Sequence, residues 1–446
     1  AAGAAMVLLA GAMTALVFLY ARAEHARTSA EERLTELRSL SRFVLFDVYD
    51  RLESIPRPLP LGRDLAEAAQ GYLDRLSRDP EAPTAVRLDV IEGLRRLASV
   101  QASPGSPSVA SPALARRNLD RAEALANELP VQGVPPGERA LILARLALTR
   151  ELIAAAYDSD YDAAHRALDR AEALLDEAES ASPGHPEVAS LRNQVELERA
   201  DVFQWQGRYA ESMQVSKEGL AHLAARPMTT AEERKAARWT QSKLLDIYAE
   251  SLYYSEDMVR SEQAYREAMR LLQEAVEEDP HDPKVLRRFA RSEWALAEAL
   301  LELNQAEEAV RLLRNATRRV EQLMLLEPRD RDLVRTEVVF ATAHARALAA
   351  LGRHAEALPL LQQTVAVRKR LWGEAPEDMS AARDVAIGVA SLAEGFAAAR
   401  RYPEACKAWD ESLATFDRIR AAGKGAQLDE DHTIRIVREE KGKHCS

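Results

Sequence analysis

Between His185 and Phe416 the apolar and small positions follow one long, fixed period. Set in rows of 48 residues, the small side chains fall into columns. One column reads Ala200, Ala249, Ala297, Ala345, Ala393. A second reads Ser212, Ser261, Ala309, Ala357, Ala405, with Ala164 one period upstream. A third reads Gly219, Ala268, Ala316, Thr364, Ser412, with Ala171 upstream. A single step of 49 residues separates Ser212 from Ser261. Large apolar residues fill the intervals: Phe203, Leu252, Leu300, Leu348 and Phe396 three places after the first column, and Tyr265, Leu313, Leu361 and Trp409 four places after members of the second. A repeat of this size is the mark of a solenoid.

The columns predict a helical hairpin in each row. Helix A carries the first column. Helix B carries the other two, seven residues and so two turns apart on one face. Small residues let the two helices approach; the large ones fill the space between. Gly207-Arg208-Tyr209, Gly352-Arg353-His354 and Arg401-Tyr402 mark the A-to-B turn, where glycine can end helix A in the left-handed region. Pro183, Pro280, Pro328 and Pro376 share one phase beyond helix B; Pro186 and Pro283 suit the first turn of the next helix A. Helices of about twenty residues follow from these spacings.

At these residues the chain resembles a tetratricopeptide repeat protein. Gly207-x-Tyr209-x-x-Ser212, Gly352-x-His354-x-x-Ala357 and Arg400-x-Tyr402-x-x-Ala405 match the turn, and the columns match the packing positions. The departure is length, since the usual repeat has 34 residues. The resemblance implies an all-α, right-handed superhelix of about seven helical hairpins, the first two irregular. The expected segments are a transmembrane helix at 1–21, a juxtamembrane helix at 22–60, and an irregular first hairpin with a Ser/Pro loop at 61–130. The repeat array follows at 131–420, and a polar, partly ordered tail at 421–446, in which His432 to Val437 has a strand-like pattern.

Residues 1–20 carry no charge, and twenty helical residues rise about 30 Å, the thickness of a bilayer core. A membrane span is preferred over a signal peptide, because no basic region precedes the run and the run is long. Leu34, Leu37, Leu40, Val44, Val48 and Leu52 continue a helical stripe until Pro56, Pro58 and Pro60. The stripe is shorter than a coiled coil needs, so packing on the first repeat is preferred over homodimerisation through this juxtamembrane helix.

A second resemblance covers residues 1–130. Phe43 to Asp50, Ile55-Pro56, Gly71 to Leu76 and Leu94 to Gln101 follow in the order seen in large bacterial Hanks-type serine/threonine kinases, between the membrane helix and the repeats. This likeness implies a sensor or scaffold half of a receptor kinase, anchored in the inner membrane with the array on the extracytoplasmic, periplasmic side. A free-standing membrane-anchored assembly scaffold is the alternative, as is a different signalling domain upstream.

Composition narrows the chemistry. A net charge of −11 argues against nucleic acid as a partner. Cys406 and Cys445 are too few for a disulfide framework, and their pairing is left open. There is no phosphate loop, no His-Glu-x-x-His, no Cys-x-x-Cys and no Gly-x-Ser-x-Gly. The expectation is a binding protein without catalytic residues, metal or cofactor.

In the repeat family, helix A lines the concave face and the residue after the first small column points into it. Here that residue is Asp201, Glu250, Glu298, Arg346 and Glu394. Asp246 lies one turn before Glu250, and Tyr253, Tyr254, Trp294 and Trp205 are aromatic neighbours. Two readings compete: solvated charges paired with Arg291 and Lys243, or a groove for a basic, extended peptide.

Overall fold

The computed structural model describes residues 59–78, 82–102, 111–130, 133–326 and 331–445. Regular structure among them is helical throughout. The helices are α1 (Leu59–Leu76), α2 (Thr84–Gln101), α3 (Pro112–Asn127), α4 (Glu138–Ile153), α5 (Tyr161–Ala181), α6 (Pro186–Trp205), α7 (Tyr209–Ala225) and α8 (Ala231–Tyr254). They continue with α9 (Met258–Glu278), α10 (Pro283–Glu302), α11 (Ala306–Leu326), α12 (Arg331–Ala350), α13 (His354–Glu374), α14 (Met379–Ala398) and α15 (Tyr402–Ala421). A short helical turn Gln427–Asp429, a π-helical turn Glu430–Ile434 and α16 (Arg435–His444) end the chain.

From α2 onward the helices pair as hairpins, α2 with α3 through α14 with α15, and α1 packs on α2. The described residues therefore hold the seven hairpins that the periodicity predicts. Successive even-numbered helices touch one another, whereas successive odd-numbered ones from α3 to α15 do not pack comparably. The even-numbered A helices thus form the inner layer of the solenoid and the B helices splay on the outside.

The columns explain the packing. Ala200, Ala249, Ala297, Ala345 and Ala393 are fully buried, as are Ser212, Ser261, Ala309, Ala357 and Ala405. Serine is accepted there because its hydroxyl donates to the facing helix: Ser212 Oγ to the Ala200 carbonyl and Ser261 Oγ to the Ala249 carbonyl, each at 2.8 Å. Gly219 heads the third column because a Cβ there would stand 2.9 Å from the Leu244 side chain.

Helix ends follow the same phase. Pro183, Pro280 and Pro376 each sit two residues past α5, α9 and α13. Pro186 and Pro283 occupy the first turns of α6 and α10. Asp282 and Asp378 cap α10 and α14 through backbone amides at 2.9–3.3 Å. The A-to-B turn is left-handed in every row, at Gly207, Glu256, Asn304, Gly352 and Arg400, with φ between 60 and 74°. The next amide then reaches back to a helix carbonyl, as Arg208 N–H does to Phe203 at 2.8 Å and Arg401 N–H to Phe396 at 2.8 Å. Glycine is thus present at only two of five turns that all need it conformationally.

The tail departs from expectation. It is neither a loose polar extension nor a strand. Ile434 and Val437, three residues apart, bury one helical face against α14 and α15. A 39-residue separation is closed by a Cys406–Cys445 disulfide. The expected transmembrane helix at 1–21, most of the expected juxtamembrane helix at 22–60 and the core of the expected Ser/Pro loop fall outside the described residues. No helix among the described residues is long and apolar enough to cross a membrane.

Candidate functional site

The inner wall is built from one stripe per A helix, because residues three or four apart on one helix share a face. The structure divides the candidate residues into two clusters.

The first lies on α4, α6, α8 and α10. Asp201 sits with Glu198 and Glu250 nearby and Arg291 opposite. Burial, Glu198 and Glu250 push its carboxyl up to about 7, against the pull of Arg291 and a hydrogen bond from Trp205. Glu151 on α4 is buried and is pushed up to about 9 by burial, Glu198 and Asp201. Glu198 is likewise raised by burial, with Lys243 opposing. Asp246 belongs to the same side of the wall but is already engaged. It pairs with Arg288 at 2.7 Å and accepts from Ser292 Oγ at 2.8 Å.

The second cluster lies on α8, α10, α12 and α14. Arg346 ion-pairs with Glu298, lies 3.4 Å from Glu394 and 3.8 Å from Glu302. Glu298 draws its pKa upward most strongly. Tyr253 lies beside this group and its hydroxyl is pushed upward, first by burial and then by Glu298. Tyr253 and Tyr254 meet edge to face at 5.4 Å, and Tyr254 stacks on Tyr209 at 5.7 Å. Trp294 is placed elsewhere: its ring stacks on Phe340 at 6.1 Å, within the core between α10 and α12.

Sequence reading missed Glu151, Glu198 and Arg383. Glu198 stands one turn before Asp201, so the stripe could have revealed it. Glu151 interrupts an otherwise apolar α4, which is a weaker signal. Arg383 lies three turns before Glu394 on α14. Its guanidinium sits 5.2 Å from the Trp205 ring on α6. Three hairpins lie between those helices in sequence, so the array coils until its third and seventh hairpins approach across the inner space. No single-repeat pattern carries that information.

A tetratricopeptide repeat family profile matches residues 260–322, from α9 into α11. No curated protein sequence matches the chain. Among solved structures, the apo form of the quorum sensor NprR from B. thuringiensis is similar with a TM-score of 0.53 at 13% identity, over 86% of this chain and 91% of that one. The apo form of RapI gives 0.47 at 12% identity, over 91% and 98%. BtubC from P. vanneervenii gives 0.41 at 16% identity, over 58% and 92%. Columns and hairpins define the class, an all-α helical-repeat solenoid, and the profile marks residues 260–322 as tetratricopeptide-like. Its hairpins repeat every 48 residues, against 34 in the usual tetratricopeptide repeat.

Proposed function

We propose that the array binds proteins or extended peptides along its inner wall, and that the wall between α4 and α8 selects basic or amine-rich ones. One observation carries this reading: Glu151, Glu198, Asp201 and Glu250 share a recess faced by Arg291 and Lys243. Burial holds the Glu151, Glu198 and Asp201 carboxyls above their usual range, neighbouring carboxylates add to it at Glu151 and Asp201, and an incoming cation relieves them. The favourable interaction is thus made with the ligand and not within the protein.

A peptide-library screen tests the reading, comparing wild type with an Asp201→Asn, Glu250→Gln double variant. Wild type should select Lys/Arg-bearing sequences, with binding weakening as salt rises. The variant should lose that selection. Peptides without basic bias would reduce the recess to a solvated face.

The wider role is the sensor or scaffold half of a bacterial receptor serine/threonine kinase. The anchor is residues 1–20 and the array is periplasmic. The uncharged run at 1–20 and the ordered likeness over 1–130 support it. A solenoid of related fold in NprR, a quorum sensor, is a precedent at the level of fold. The coding sequence upstream of Ala1 is the discriminating observation: a kinase domain there sustains the role, and a start codon beside Ala1 removes it. Requirement for detergent by the full chain, lost when residues 1–30 are removed, tests the anchor.

A further inference from the structure

The C-terminal segment lies where a ligand of the inner wall would lie. Arg383 on α14 holds Asp429 through Nε at 2.8 Å to both carboxylate oxygens, and Asp429 is buried. His432 packs edge-on to Tyr254 at 5.2 Å and 5.7 Å from Tyr253, at the end of α8. Arg435 pairs with Glu256 at 3.0 Å, across 179 residues of sequence. Asp431 lies so close to the α6–α7 turn that a Cβ on Gly207 would meet its carboxylate at 2.6 Å. Ile434 and Val437 are the apolar side of the same segment.

The polar and ring contacts of Asp429, Asp431, His432 and Arg435 fall on A helices or their turns, which form the inner layer, while Ile434 and Val437 pack on α14 and α15. The segment cannot owe its structure to itself, since a helix of ten residues is marginal alone. It is held as a bound peptide is held: one buried charge pair, one ring among rings, and two aliphatic anchors. Its far end is fastened to α15 by the Cys406–Cys445 disulfide, with His444 stacked on Tyr402 at 4.8 Å. Both cysteines are partly exposed, so a thiol can reach them.

We infer that the wall between α6 and α14 is a receptor for a short helical segment carrying an acidic residue, a ring three places on, and aliphatics five and eight places on. Residues 427–445 are its resident occupant in cis. A partner segment of the same chemistry takes the site once the Cys406–Cys445 disulfide is opened. A dithiol reductant opens it by delivering two electrons and two protons, leaving two thiols here and a disulfide on the reductant. The closed bond fixes both ends of the occupant and keeps its effective concentration high; opening it frees one end to fray and exchange. This site adjoins the acidic recess through Trp205, which lies under Arg383 and hydrogen-bonds Asp201, so the two proposals are told apart by their probes: basic peptides for the recess, the tail peptide for this site.

The test uses the full chain and a fluorescent synthetic peptide of residues 426–444 as probe, read by anisotropy. The oxidised chain should not bind it. The reduced chain and a Cys445→Ser variant should bind it about tenfold more tightly or better. The peptide carrying Asp429→Asn should lose that gain, which leaves the protein itself unaltered. Amide exchange over 427–444 should quicken on reduction while α6 to α12 stay protected. Equal peptide binding in both redox states, or unchanged exchange over 427–444, overturns the proposal. A reduced chain that dimerises by exchanging its own tails, and still excludes the peptide, overturns the partner segment in favour of a second copy.

Discussion

Asp201 and Glu298 stand in the same column two repeats apart, yet they meet opposite circumstances. Glu298 faces Arg346, the one basic residue of its column, and shares it with Glu394. Asp201 faces Glu198 and Glu250, with Arg291 as the opposing charge, and its carboxyl is pushed up to about 7. The column geometry is constant along the array, but the charge balance is local. One arginine substitution in the repeat converts a repelling acidic stripe into an ion-paired one. The C-terminal segment crosses both halves, meeting the α6–α7 turn, the end of α8 and Arg383 on α14, so the difference between the halves is one of charge and not of cover. The α4–α8 half keeps its unrelieved carboxylates. The inner wall therefore has two stretches of different charge balance on one scaffold.

Glu151→Gln should expose this difference most. The Glu151 carboxyl is raised from 4.5 to about 9 by burial, Glu198 and Asp201, so the folded state holds a proton that the unfolded chain releases. Stability from this group falls as pH rises from about 4.5 toward 9. Melts of wild type should weaken across that window, while Glu151→Gln should melt higher at pH 8, by on the order of 3 kcal/mol, and little differently at pH 4. A gain of equal size at both pH values would place its origin in packing.

Arg383→Gln probes the anchor of the C-terminal segment. Asp429 would stay buried without its cation, at a cost of about 3 kcal/mol, the low end for a broken buried pair because Arg383 keeps some exposure. Chemical denaturation with exchange readout on 427–444 measures it. Loss confined to the tail is expected; uniform loss across the array would mean that the segment braces the whole solenoid.

Ala200→Leu and Ala345→Leu should cost about 1–3 kcal/mol each by overpacking, and similarly in the two halves, because both residues are fully buried between helices. Unequal costs would show that the halves differ in packing as well as in charge. Arg400→Gly should stabilise by about 0.5–1 kcal/mol: relief of a left-handed Cβ is worth roughly 1–2, and glycine returns part of it as unfolded-state entropy. Smallest is Glu250→Gln, expected within about 0.5 kcal/mol in stability while basic-peptide affinity falls. A binding loss with unchanged melting would separate the recess's function from its stability.

The repeat sequence by itself determined the hairpins, their length, the residues between helices and the stripe that faces inward. Each of these depends on contacts within one row or between adjacent rows, and a periodic chain writes such contacts into its spacing. Pro183, Pro280 and Pro376 announced helix ends because proline acts locally on its own backbone. What the tertiary structure decided lies between distant rows. Trp294 shares the phase of the inner stripe, yet Phe340 on the neighbouring A helix takes its ring into the core. Arg383 reaches Trp205 and Asp429 only because the array coils through several repeats. The polar tail, expected to be only partly ordered, folds because that coiled wall offers Arg383, Tyr254 and Glu256 at matching places. Curvature accumulates from small rotations at every interface, and no residue encodes it alone.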